Sequence, residues 1–198
     1  MRKFLSLPQE KQNRIVDAAM SLFGEVGYKK AYISEIAANA GISKALIFHY
    51  FGNKKGLYSY LVYYTGKIVM TEAQHERDTI NKDFFDRAIT TIKFRLALKS
   101  RYPAMNAFID SVYNEDEPEV EDDINRLKAI ATDMHSKVDL SVSEAALLKD
   151  GVDPADLVEL IEKYTEGIVY SWHTGSSMDN TITDVGKCLT MLKKMLLR

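Results

Sequence analysis

The sequence predicts an all-α protein, and three observations carry that expectation. Apolar residues recur at steps of three and four from Ile15 to Leu196, no strand-like alternation of useful length interrupts them, and glycines and prolines fall where helices would start or stop. With 198 residues, 46% of them hydrophobic and 27% charged, the chain has a globular composition and is long enough to bury a core.

The elements follow in order. Pro8 suits the first turn of a helix, where its missing N–H costs nothing, and Ile15, Ala18, Ala19, Leu22, Phe23 and Val26 make one apolar stripe ending at Gly27, a left-handed cap. A short second helix spans 33–40, Gly41-Ile42 turns the chain, Ser43 caps a third helix over 44–51, and Gly52-Asn53 stops it. A fourth helix runs from about residue 54 through Leu57, Leu61, Tyr64 and Ile68 toward His75. Phe85, Ala88, Ile89, Ile92 and Leu96 form the next face, and Pro103 separates it from Met105, Phe108, Ile109 and Val112. The acidic run Glu115–Asp123 reads as the solvated start of a helix over 124–140, since carboxylates favour a helix N-terminus and Pro118 fits its first turn. A short helix over 143–149, one from Pro154 to His173 and a last one over 181–197 complete about nine helices.

Charge divides the chain. Residues 1–60 carry nine Lys/Arg against four Asp/Glu, and residues 61–198 carry seventeen against twenty-four. A basic first third suits a polyanion that the acidic remainder would repel.

Two short helices joined by a tight turn describe a helix-turn-helix. Ala37 is small where the helices approach, Gly41 supplies a positive φ, and Ile36, Ile42 and Ile47 fill the core beneath. Ser43, Lys44, Ala45, Leu46, Phe48, His49 and Tyr50 are left facing outward.

These residues carry a resemblance. Gly27-Tyr28, then Ile33-x-x-Ile36-Ala37-x-x-Ala40-Gly41-Ile42-Ser43, then Ile47-Phe48-x-Tyr50-Phe51-x-x-Lys54-x-x-Leu57, together covering roughly residues 9–60, resemble the TetR family of bacterial transcriptional repressors. The resemblance implies a helix-turn-helix DNA-binding domain over 1–53, a helical ligand-binding and dimerisation domain over 54–198, and a homodimer built on the last two helices. The chain departs from the family pattern at Ala31-Tyr32, where hydroxyl residues are usual, and at Phe48, where tyrosine is common.

Phosphate contacts supply affinity and orientation, whereas base-edge contacts supply sequence choice. Base readout is assigned to Lys44, Ala45 and Leu46, because the N-terminal part of a recognition helix enters the major groove. Phosphate or sugar contact is assigned to Lys29, Lys30, Ser43, Phe48, His49, Tyr50, Lys54 and Lys55. Lys54 and Lys55 open a helix where positive charge is unfavourable, so an anionic partner would explain them. A dimer would place two such helices about 34–36 Å apart on double-stranded DNA and call for a palindromic operator.

In the remainder, Arg95, Tyr102, Tyr113, Arg126, His135, Tyr164 and Trp172 are candidates to line a pocket for an unknown small molecule, against the simpler alternative that the aromatics are core. Val158, Ile161, Val169, Ile182, Val185, Leu189 and Leu192 form apolar rows on the last two helices and are the candidate dimer seam. The expected function is a repressor released from its operator by that small molecule. The alternatives are a ligand-independent DNA-binding dimer and a protein-regulated transcription factor.

Other classes find little support. The chain has no G-x-S-x-G, Walker A, G-x-G-x-x-G or H-E-x-x-H pattern, so no catalytic constellation is visible and an enzyme is not expected. The histidines are dispersed, so neither a metal nor a cofactor is called for, and the lone Cys188 is expected to be buried packing. No apolar run approaches a membrane-spanning length and no secretory leader is legible, so a cytoplasmic location is expected.

Overall fold

The computed structural model describes residues 2–75, 83–135, 139–173 and 175–198. Within them the chain is all-α, with eleven helices: α1 Arg2–Leu5, α2 Gln9–Lys30, α3 Ile33–Asn39, α4 Lys44–Phe51, α5 Lys54–His75, α6 Phe84–Arg101, α7 Pro103–Ser111, α8 Glu121–His135, α9 Val142–Ala145, α10 Pro154–Ser171 and α11 Met178–Leu196. The element that was not expected is α1, a single four-residue turn, and the short helix expected over 143–149 is the equally short α9. Packing groups them into two compact units, one of residues 1–72 with 102–132, the other of 73–101 with 133–198.

In the first unit α2 lies along α7, and the closeness of that contact explains Gly24. A Cβ there would sit 2.7 Å from the Ala107 carbonyl carbon, so no side chain fits. Around this seam lies an aromatic core of Phe23, Tyr28, Tyr58 and Phe108, in which Tyr58 meets the other three edge to face, 5.1 Å from both Phe23 and Phe108 between ring centroids. Ile15, Ile36, Ile47, Leu57, Leu61 and Leu127 are wholly buried in the same unit.

Gly27 breaks its helix at a positive φ as expected, by a kink rather than by a left-handed cap. It holds φ 76° and ψ 170°, a region open essentially only to glycine, and the helix resumes for one more turn. The kink frees the Tyr28 N–H, which donates instead to the Glu115 carboxylate. The acidic run is therefore not a solvated helix start. Glu115 and Glu117, two residues apart on extended backbone and half-buried, turn toward the end of α2, and only from Glu121 do carboxylates occupy the first turn of α8. A sequence pattern shows that acids suit a helix start; it does not show that the stretch before the helix finds cations on another element.

The second unit is organised on α6, against which α10 and α11 both pack. Its core contains Phe84, Phe85, Ala88, Ile92, Leu96, Leu148, Leu157, Ile161, Val169, Trp172, Val185 and Leu189. Arg87 grips Glu144 with both guanidinium nitrogens, at 3.0 and 2.9 Å, and holds that carboxyl down at about 2, while Glu144 also closes a capping box with Ser141 at the start of α9.

The expected dimer seam needs correction here. Ile161, Val169, Val185 and Leu189 are buried in the core of their own unit, and Val158, Ile182 and Leu192 pack against that core half-buried. The periodicity located real apolar rows, but an inward-facing row and a subunit-facing row have the same spacing in a sequence. Cys188 is half-buried rather than buried.

Candidate nucleic-acid interface

The turn between α3 and α4 is built by backbone bonding. Gly41 N–H donates to the Ala38 carbonyl at 3.0 Å and Ile42 N–H to the Ala37 carbonyl at 2.9 Å, the paired bonds that end a helix on a left-handed residue. Gly41 accordingly has φ 67°, with nothing within 4 Å of where its Cβ would be, so backbone conformation rather than crowding requires glycine. Ser43 then caps α4, its hydroxyl accepting from Leu46 N–H at 3.3 Å. At the start of α3 no side chain caps, as the departure at Ala31-Tyr32 foreshadows.

Beneath the turn Ile36, Ala37 and Ile47 are buried as expected, whereas Ile42 is only half-buried at the edge. Above it, Ser43, Lys44, Ala45 and His49 are exposed, Phe48 is 38% exposed and Leu46 is half-buried. The Lys44 ammonium lies over the Phe48 ring, 5.7 Å from its centroid, which steadies a flexible cation along the outer face at little cost to its availability.

Tyr50 does not face outward. It is 7% exposed, and its ring packs against Phe4, His49 and Phe51 at 6.0, 5.7 and 6.3 Å. The helix period places residue 50 on the same inner side as Ile47, an orientation the run of aromatics obscured.

The basic residues divide into two groups. Lys30, Lys44 and Lys55 are exposed. Lys29 and Lys54 are engaged within the fold. Lys29 pairs with Glu117 at 3.2 Å, and Lys54 donates to the Lys29 carbonyl at 3.2 Å while its ammonium sits 4.5 Å above the Tyr28 ring. Burial lowers the Lys54 pKa, opposed by the carboxylates of Glu119, Glu115 and Glu117. The placement of Lys54 at a helix start thus has an internal explanation, and an external anion is not needed to account for it. Burial, with Glu119 nearby, raises the Tyr28 phenol pKa.

The pocket candidates do not come together as one set. Tyr113 is 60% exposed and Arg126 is an exposed partner of Asp123 at 3.9 Å, so both are surface residues of the first unit. Tyr102, in that unit, donates its hydroxyl to Glu72 at 3.0 Å. Arg95, Tyr164 and Trp172 belong to the second unit, where Trp172 is core and burial raises the Tyr164 phenol to about 12. The side chain of His135 lies outside the described residues. The sequence reading missed two other groups. Tyr58 and Thr65, seven residues apart on α5, bury hydroxyls with no hydrogen-bond partner among the described residues. Their signal was a polar atom at a core position of the apolar stripe.

Comparison with known proteins now bears on the same segment. The profile of the family described as bacterial regulatory proteins, tetR family, matches residues 15–61, from α2 into α5. Residues 15–61 are thus a TetR-family segment. The HTH-type transcriptional regulator BetI of Serratia proteamaculans is 35% identical over 68 residues, covering 32% of this chain and 34% of that protein. The chain thus matches about a third of the length of such curated relatives. Solved structures extend the likeness of fold over the whole chain. A TetR family regulator from Chloroflexus aurantiacus aligns with a TM-score of 0.67 at 15% identity, over 100% of this chain and 98% of the other. The regulator FadR from Bacillus subtilis, in complex with stearoyl-CoA, aligns with a TM-score of 0.61 at 18% identity, over 91% and 96%. At such identities the second unit shares a fold with these regulators. No described helix is long and apolar enough to cross a membrane.

Proposed function

We propose that the protein is a homodimeric, sequence-specific DNA-binding regulator of transcription, a repressor that leaves a palindromic operator when a small molecule binds its C-terminal part. The observation that carries this reading is the exposed face of α4, with Lys44, Ala45 and His49 presented on a capped helix over the buried Ile36, Ala37 and Ile47. A side-chain set that exposes a cation and a small residue at the start of a recognition helix suits major-groove readout. Lys44 donates to guanine O6 and N7, Ala45 admits a thymine methyl, and Lys30, Lys55, Ser43 and His49 meet phosphates.

A second copy is best placed on the row of α10 and α11 that their own unit leaves uncovered. Leu160, Met191 and Met195 are exposed there beside the half-buried Tyr164 and Cys188. Ligand response is supported by the stearoyl-CoA complex of the Bacillus subtilis relative and by the unpaired hydroxyls of Tyr58 and Thr65, buried groups that a polar ligand atom would satisfy.

The test is selection from a random duplex library. Recovery of a palindrome with half-sites about one helical turn apart is the expected result. A protein that is monomeric at micromolar concentration and enriches no sequence would sink the reading.

A further inference from the structure

The turn that precedes α2 was not among the expected elements, and the fold holds it firmly. Phe4 is 0% exposed, its ring 4.8 Å from Phe51, 5.2 Å from Tyr60 and 6.0 Å from Tyr50 between centroids. The link to α2 is also tied down. Gln12 donates to the Leu5 and Leu7 carbonyls at 3.3 and 2.8 Å, and the Ser6 hydroxyl donates to the Lys3 carbonyl at 2.9 Å. As a result α1 packs against α4, the helix whose outer face is exposed for reading DNA.

Phe4 is flanked on its N-terminal side by Arg2 and Lys3. Both are exposed, and neither has an ion-pair partner among the described residues. They differ in this from Lys29 and Lys54, which the fold's own acids and carbonyls engage. The buried Phe4 ring, packed on Tyr50, thus fixes the backbone that carries these two cations against α4.

We propose that α1 is a second DNA-contacting element, in which Arg2 and Lys3 bind backbone phosphates flanking the base pairs that α4 reads. The proposal rests on the DNA-binding reading above and extends it to an element that reading does not use. Arg2 grips a phosphate through its planar fork, Lys3 as a point charge, and neither reads sequence. Phe4 is the positioning residue. It confines both cations to one place, so less freedom is lost when a phosphate is bound.

The experiment is the salt dependence of binding to a mixed-sequence duplex of about 30 base pairs, long enough for two half-sites one turn apart. Because each phosphate contact contributes about 0.9 to the slope of log affinity against log salt, Arg2→Gln with Lys3→Gln should flatten the slope by about 2 per subunit and cost more than tenfold at low salt. Thermal unfolding should not move, since both side chains are exposed. The exchange Arg2→Lys with Lys3→Arg keeps the charges and should keep the slope. Phe4→Leu keeps the charges but loosens the anchor, and should lose part of the affinity at unchanged helix content. An unaltered slope in the double glutamine variant, in a protein that still loses binding on Lys44→Ala, overturns the proposal alone. Wild-type protein with no salt-dependent attraction to the duplex overturns the DNA reading and this inference with it.

Discussion

Two groups of lysines, Lys44 with Lys55 and Lys29 with Lys54, lie on the same compact unit, and the fold treats them in opposite ways. Lys44 and Lys55 stand in solvent, Lys44 resting only on the face of Phe48. Lys29 and Lys54, by contrast, are met by the segment that follows α7, where Glu117 pairs with Lys29 and the charges of Glu115, Glu117 and Glu119 favour protonated Lys54. The two groups cannot be counted alike in a tally of positive charge. The exposed group is available to a polyanion, while the second group already has an internal one. Its work is to hold the kinked end of α2 to the start of α5, and with it the angle at which the helix-turn-helix leaves the long helix.

Five substitutions would break or sharpen this contrast. Lys44→Ala should have the largest effect on binding, about 1–3 kcal/mol of specific affinity with loss of preference at one base pair, read by titrating single-base variants of the selected operator. Unchanged affinity would remove Lys44 from base readout. Glu115→Ala should act on the fold instead. It leaves the Tyr28 N–H without its acceptor beside a glycine kink, and chemical denaturation should show a loss of about 1–3 kcal/mol.

Lys54→Ala and Lys55→Ala test the contrast most directly, being adjacent and of equal charge. The first should cost about 1 kcal/mol of stability, for one hydrogen bond and one contact with an aromatic face, and leave the salt slope as it was. The second should leave stability within about 0.5 kcal/mol and lower the slope by about 0.9. A reversed pattern would restore Lys54 as a phosphate ligand and refute its internal role. The smallest effect is expected of Glu117→Gln. Its pair with the largely exposed Lys29 is worth about 0–1 kcal/mol, so stability should barely move, while affinity for any duplex should rise about twofold at low salt and return to the wild-type value at high salt.

Much of this was legible before any coordinates. The helix-turn-helix could be read because its determinants are local: Gly41 answers to a backbone angle, Ser43 to the N–H of a residue three further on, and Ile36 and Ile47 to the helical period. α1 was not legible, because four residues carry no period, and what makes them a helix is the burial of Phe4 among rings nearly fifty residues away. Tyr50 was misplaced for a related reason. In the run Phe48-His49-Tyr50-Phe51 every residue type suits either a core or a DNA-facing surface, so composition could not choose between them.

The sequence by itself determined the all-α class, the position of the helix-turn-helix and the basic character of the first third, since turn chemistry, periodicity and net charge act over a few residues or do not depend on distance at all. Tertiary structure alone decided which cations remain available and which apolar rows of α10 and α11 face inward. Both are properties of pairs remote in the chain, Lys29 with Glu117 or Ile161 with the α6 core, and the energy of such a pair depends on a separation that no local pattern encodes.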